Sequence, residues 1–494
     1  MAPIVLALIE RPEGATIPMT APVAGTPAVL RPAPARPAPS PIAPADLRAL
    51  RAAVRGEVIV DGDAAYDARR GLHNTHVDRK PAVIVRPADA IDVARAIVTA
   101  RELGLELRVK SGGHSISGAS ATDGGLLLDM RSLNAVDIDP IRWTGSAQGG
   151  TTAGEYTTAA HTFGMATPFG DTGSVGLGGL TLGGGIGWLA RKHGLAIDNL
   201  LEADIVTADG QLVTVSEDSD PDLFWAIRGG GGSFGIVTRF RYRLHPVEMV
   251  TGGALFLPLT HEVLRGVVDA SLEAPEELTQ ISFVMPIPPA PFVPQELVGT
   301  PSVVVMPVHA GPLDEGAAAM APFRALAKPL IDMVGPMPYP AMYQLTAAGE
   351  QPGAGVLRSS FLPGLDEAAI DAIVERHSTP SAFMAMTQLR VLGGAMARVP
   401  ADATAFAHRD APVMASVITG TSEAQYDEAV AWTEAYHADL AAASVGVYSN
   451  FLDNEGDARL RQAYPGTTLE RLVSVKRRVD PQNVFRGNHD IRPS

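Results

Sequence analysis

Beyond residue 80 the chain changes repeatedly between two apolar patterns. PAVIVRP (81–87) and LELRVK (105–110) have the β-branched character of short strands, and between them ADAIDVARAIVTARELG carries apolar residues at helical spacing behind an acid-rich start. Asp123-Gly124-Gly125 then turns the chain into LLLDM, which reads as another buried strand. After Pro246 the pattern becomes strand-rich. GGALFLPL, TQISFVMP, PSVVVMPVHA, FMAMTQLRVLGG and APVMASVITG read as strands, with THEVLRGVVDASLEA, GAAAMAPFRALAKPL and LDEAAIDAIVERH as helices among them. This second region predicts an antiparallel sheet with helices on one face.

The ends and the composition bound what the chain can do. Residues 11 to about 45 are rich in Pro and Ala and favour extended, unpacked conformations, so 1–45 reads as a flexible leader. The first residues lack a basic region and a small-residue cleavage site, so secretion is not indicated and a cytoplasmic location is expected. A length of 494 residues exceeds what one core usually serves, which predicts two domains. A net charge of −15 disfavours nucleic acid or an anionic membrane as partner, and the sequence has no apolar run long enough to span one. With no cysteine, the chain has no disulfide, thiolate metal site or thiol nucleophile, and any redox chemistry needs a cofactor.

The candidate chemistry starts where the second strand ends. Lys110-Ser111-Gly112-Gly113-His114-Ser115-Ile116-Ser117-Gly118 places an imidazole in a glycine-rich loop whose N–H groups can converge on an anion such as a pyrophosphate. A tight turn with a hydrogen-bonded histidine is the simpler alternative. From Gly164 to Pro246 glycines are dense, at 170, 173, 176, 178, 179, 183, 184, 185 and 187, as where backbone lies against a flat or charged ligand. Gly185 to Ala190 fits a loose G-x-G-x-x-A dinucleotide pattern. The residues before it are too glycine-rich for the core strand that such a fingerprint requires, so a nicotinamide site is not expected.

These motifs together resemble the vanillyl-alcohol oxidase type flavoproteins with an FAD-binding domain of the PCMH type, in their berberine-bridge-enzyme-like branch. The resemblance rests on the His114 loop and on Leu182–Leu189, Arg191–Leu200, Val206–Gly210, Asp222–Gly235 and Val237–Phe240, taken in order. It extends to Val447–Phe451 and Asp480–Phe485 with Asn488 and Ile491 beyond. It implies an α+β fold: a two-subdomain FAD-binding domain over 46–247, a substrate domain with an antiparallel sheet flanked by helices over 248–440, and a return to the FAD-binding domain over 441–494. It also implies FAD bonded to His114, a second cradle made by Thr172, Gly173, Val175, Gly176, Gly178 and Gly179, and further cofactor contacts from Gly187, Ile236, Val237, Asn450 and Asn483.

Departures from the family pattern shape the mechanism. Thr172 stands where doubly tethered members carry a cysteine, so only the histidyl bond is open to this chain. The resemblance also makes Val175 a position that admits oxygen to the flavin, although packing explains one valine equally well. Gln388, on the strand before Gly393-Gly394, is the side chain expected over the ring, with Arg390 on the same strand face. Phe451 occupies the place of the family's usual tyrosine base, which leaves Tyr448 as the nearest substitute, on a strand parity that would point it away from Phe451. Tyr343, His193, His161 and His408 are weaker candidates. His73 and His76 lack a carboxylate cluster, so no metal is expected. The function implied is an FAD-dependent oxidase taking hydride from an alcohol, sugar or secondary-metabolite substrate and passing electrons to oxygen. The alternative is a flavin-bearing protein that sequesters a small molecule without turnover.

Overall fold

The computed structural model describes residues 42–494 except 380, 488 and 494, so most of the expected leader and Asn488 lie outside the described residues. The first helix starts at Pro44, with proline at its opening turn, where a missing N–H costs nothing.

Three larger sheets follow, together with a two-stranded pair of Met165–Ala166 and His245–Pro246. The first has the order Glu57–Ile59, Val83–Arg86, Leu126–Asp129, Leu107–Lys110, antiparallel at the first pairing and parallel at the other two. Parallel strands need a crossover, and the helix Ala90–Glu102 supplies it between Val83–Arg86 and Leu107–Lys110, which flank Leu126–Asp129. Asp89 caps that helix by accepting from the N–H groups of Ile91 and Asp92. Val93, Ala96, Ile97 and Ala100 then bury its inner stripe against Val83, Val85, Leu126 and Leu128. The consequence is positional. Residues 111–118 leave the carboxyl end of a parallel strand, where open α/β sheets bind ligands.

The second sheet is antiparallel, in the order Val136–Asp139, Thr144–Gln148, Ile236–Arg243, Leu200–Val206, Leu212–Ser216. Its core includes Tyr156, Phe169 and Tyr242, packed edge to face at centroid distances of 5.0–5.8 Å. Thr152 and Glu155 form a reciprocal capping box on the helix Ala153–His161.

The third sheet has nine antiparallel strands between Met249 and Thr421. Alternate residues, among them Val303, Val305, Leu389, Val391, Val413 and Val417, pack with buried side chains of the helices His261–Glu273, Glu367–Ser378 and Tyr426–Leu440. The opposite parity faces the other two sheets. The last segment then returns: Lys476 is fully buried, and its ammonium donates to Asp480 Oδ2 at 2.6 Å, the Phe485 carbonyl at 2.7 Å and the Ser233 carbonyl at 2.8 Å.

Three local readings change. The expected helix over 316–330 is two short ones, Leu313–Ala319 and Ala321–Ala325, because Pro322 cannot continue a helical ladder and instead opens the second. Residues 448–451 form a tight turn, Ser449–Phe451, rather than a strand. The sheet also contains the strand Ala354–Leu362, which a mixed sequence with glycine and arginine disguises. Among the described residues, no helix is long and apolar enough to cross a membrane.

Candidate active site

The three sheets enclose a cavity of about 1530 Å³. A single small-molecule site holds roughly 300–1,000 Å³, so this one has room for a large ligand and a second molecule beside it. Its floor is made of the two glycine loops. A Cβ on Gly112 would lie 2.3 Å from the Gly176 nitrogen, and one on Gly176 would lie 2.2 Å from the Gly112 nitrogen. The two backbones therefore touch, and only glycine permits it. Ser111 fixes the pair by donating to the Gly149 carbonyl at 2.8 Å. Gly179 and Gly232, also in the lining, have nothing within 4 Å of a Cβ position and face open space.

His114 lies on this floor. Its Nε2 meets Ser174 Oγ at 3.0 Å, and its ring stacks on His73 with centroids 4.4 Å apart. Burial, followed by the neighbouring His73, pushes its pKa down to about 4, while Ser174 opposes the shift. The imidazole is therefore neutral at physiological pH and keeps a nucleophilic lone pair. Ser174 engages Nε2, so Nδ1 is the ring nitrogen not taken by that contact.

Above the floor, Gln388 and Arg390 project from the strand Met384–Val391 into the cavity. Gln388 is 5% exposed and its Oε1 has no hydrogen-bond partner, so the site holds an unused acceptor. Arg390 pairs with Asp171 at 2.6 Å and lies 5.2 Å from the centre of the Phe451 ring, which ties the roof to the second cradle. Tyr448 and Phe451 pack together at 5.2 Å, both facing the cavity, because the turn reverses the parity expected of a strand. The Tyr448 hydroxyl accepts from the Gly185 N–H and the Asn450 amide, each at 3.0 Å. Burial nevertheless raises its pKa, so it remains a neutral phenol and is a donor rather than a base.

The cavity gathers Ser111, Gly112, Gly113, His114 and Ser115 from the first loop and Thr172, Val175, Gly176, Gly178 and Gly179 from the second, with Ile236, Val237, Gln388, Arg390, Tyr448 and Asn450. Five expected cofactor contacts are not in its lining. Lys110 turns away to the carbonyls of Arg69 and Gly71. Gly118 packs on Val77, Gly173 lies under Glu350 and Tyr343, and a Cβ on Gly187 would meet the Phe169 carbonyl at 1.6 Å, so these three glycines serve close packing. Asn483, at a φ of 53°, donates to Asp490. Tyr343, His161, His193 and His408 also lie outside the lining: Tyr343 meets Thr157, His193 stacks on His245, and His408 donates to the Gln462 carbonyl. His73 and His76 diverge, the second stacking on Tyr426 and meeting Glu423 at 2.8 Å. Asp171, Ser174 and the stacking role of His73 escaped the sequence reading. Ser174 and Asp171 flank the quoted cradle residues, so their position was the available signal.

Two family models match the chain: the FAD binding domain over residues 81–216 and the berberine and berberine-like domain over 447–492. Over its length the chain is 32% identical to (R)-6-hydroxynicotine oxidase of Paenarthrobacter nicotinovorans across 463 residues, 89% of this chain and 97% of that protein. The chain belongs to the berberine-bridge-like FAD-linked oxidoreductases. The solved 6-hydroxy-D-nicotine oxidase from Arthrobacter nicotinovorans superposes with a TM-score of 0.80 at 29% identity, covering 89% of this chain and 98% of that one. A glucooligosaccharide oxidase from Acremonium strictum, described as carrying a 6-S-cysteinyl, 8α-N1-histidyl FAD, gives 0.81 at 25% identity, covering 91% and 99%.

The residues of this oxidoreductase fit FAD. The glycine floor is closed to any side chain yet open to a ligand, and the cavity exceeds the size of a single small substrate. Ser111 to Ser115 and Val175 to Gly179 would hold the cofactor, and the missing cysteine removes a second tether.

Proposed function

We propose that this oxidoreductase is an oxidase that carries FAD on His114 alone and uses oxygen as electron acceptor, with an alcohol, sugar or secondary-metabolite C–H as donor. The observation that carries the reading is a neutral imidazole, held by Ser174 and stacked on His73, on a floor formed by two glycine loops in contact. Bound FAD would accept hydride from the substrate carbon and return electrons to oxygen as peroxide. The chain's own contribution is placement. Gln388 offers its free Oε1 to a substrate donor, and Asp171 holds Arg390 in position beside it. Tyr448 braces the Gly185 turn through its hydroxyl. With Phe451 in the lining and Tyr448 neutral, the described lining residues supply no phenolate base, which favours substrates that release hydride without prior loss of a hydroxyl proton.

Acid precipitation tests the tether. Wild-type protein should give a yellow pellet and His114→Ala a colourless one with flavin in the supernatant. Acid-stable flavin on the His114→Ala protein would sink the assignment. Phe451 also motivates the sequestering alternative. Peroxide release from any member of a broad donor panel would exclude it, while tight ligand binding without flavin reduction would favour it.

A further inference from the structure

The parity of the third sheet carries information about the substrate that the cofactor motifs do not. Directly across neighbouring strands, Gln388 pairs with Phe283, Phe283 with Val304, and Val304 with Phe256. Cross-strand partners share a face, so these four side chains form one row, and all four line the cavity. The row begins at the unused Gln388 acceptor and continues as apolar surface over three strand spacings, ~14 Å at the usual separation. Met285 and Met306 widen it on either side, and both remain partly exposed although they belong to the same apolar cluster. On the helix-covered face of this sheet such residues would simply be core. Here Phe283, Met285 and Met306 stay partly open to the cavity, while Phe256 and Val304 are nearly buried within its wall. Among the described lining residues Asp171 is the sole carboxylate, and Arg390 already holds it.

We infer that the substrate is an elongated apolar molecule with one polar end: the oxidisable carbon and its heteroatom lie at Gln388, and the hydrocarbon or aromatic body lies along Phe283, Val304 and Phe256. An oligosaccharide laid along Phe283, Val304 and Phe256 would strip water from hydroxyls that these side chains cannot pair. Methionine suits the opposite task, since its flexible thioether adapts to apolar shapes. The inference rests on the flavin reading, because it uses the cofactor's place on the floor to orient the row.

The test uses flavin-loaded protein and the perturbation of its visible spectrum, read without oxygen. The ligands are phenylmethanol, 2-phenylethanol, 3-phenylpropanol and 4-phenylbutanol, with xylobiose as the polar comparison. Affinity should rise about fourfold with each added methylene, the factor expected for burying one, and xylobiose should bind more weakly than the longest alcohol. A flat series, no binding by any phenylalkanol up to its solubility, or tighter binding of xylobiose overturns the inference. Met306→Gln and Met285→Gln should flatten the series while flavin content stays at the wild-type level. An unchanged slope in both variants also overturns the inference. Failure of the underlying flavin reading is separately visible as purified protein without flavin, before any ligand is added.

Discussion

The floor and the roof of the cavity recognise their ligands by different means. The floor uses backbone: Gly112 and Gly176 touch, and any side chain there would force the loops apart. The roof uses side chains spread over strands far apart in sequence, joined only by register. Backbone recognition needs particular residues at fixed spacing and leaves a motif. Side-chain recognition by a sheet needs only parity and tolerates exchange among apolar residues, so it leaves almost no mark.

Substitutions can break this contrast. The largest effect is expected from Gly112→Val, whose Cβ would sit 2.3 Å from the Gly176 nitrogen. It should reduce retained flavin by roughly tenfold or more, read as visible absorbance per protein, if the loops separate at the usual cost of overpacking. Next is the link between the two surfaces. Arg390→Met leaves the largely buried Asp171 carboxylate without its partner and should lower unfolding stability by about 3 kcal/mol. Adding Asp171→Asn should recover most of that loss in denaturant titration, and no recovery would show that the pair is not coupled. Gln388→Leu should leave flavin content intact and reduce kcat by roughly tenfold or more through misplacement of substrate. Equal losses of flavin and rate would instead make Gln388 part of the cofactor site.

The smallest expected effect concerns acid. Burial lowers His114, His245, His377 and His437 to about 4 and His193 to about 3. In the unfolded chain these imidazoles take a proton near pH 6.5, so their folded environment costs nothing above that pH and opposes folding progressively as pH falls toward 4. The Tm should therefore fall steadily across that window. His245→Asn, by removing one ring of the His193 stack, should make the drop shallower. A Tm independent of pH from 6.5 to 4 would contradict these directions.

The sequence made the floor legible and the roof only in outline. The strands around 83, 107 and 126 and the crossover helix stand where periodicity puts them, because each is buried on a face that its pattern encodes. Gln388 and Arg390 share a face as alternate residues must. The facing of Tyr448 was not legible because a three-residue turn carries no periodicity, and one of its two hydroxyl partners, the Gly185 N–H, comes from a segment distant in the chain. Lys110, Gly118, Gly173 and Gly187 lie outside the lining. A glycine-rich motif does not reveal which of its members face the ligand and which allow the loop to pack. Asp171 and Ser174 gain their meaning only from partners brought close by folding.

The buried Lys476, bonded to Ser233, Asp480 and Phe485, bears on the order of events in the cell. Both glycine loops leave the ribosome long before Tyr448, Asn450 and Phe485, which border the same cavity. A cofactor arriving during synthesis meets an open trough rather than a closed chamber. Enclosure of the cavity waits until the final helix, Thr467–Val479, has been made and anchored.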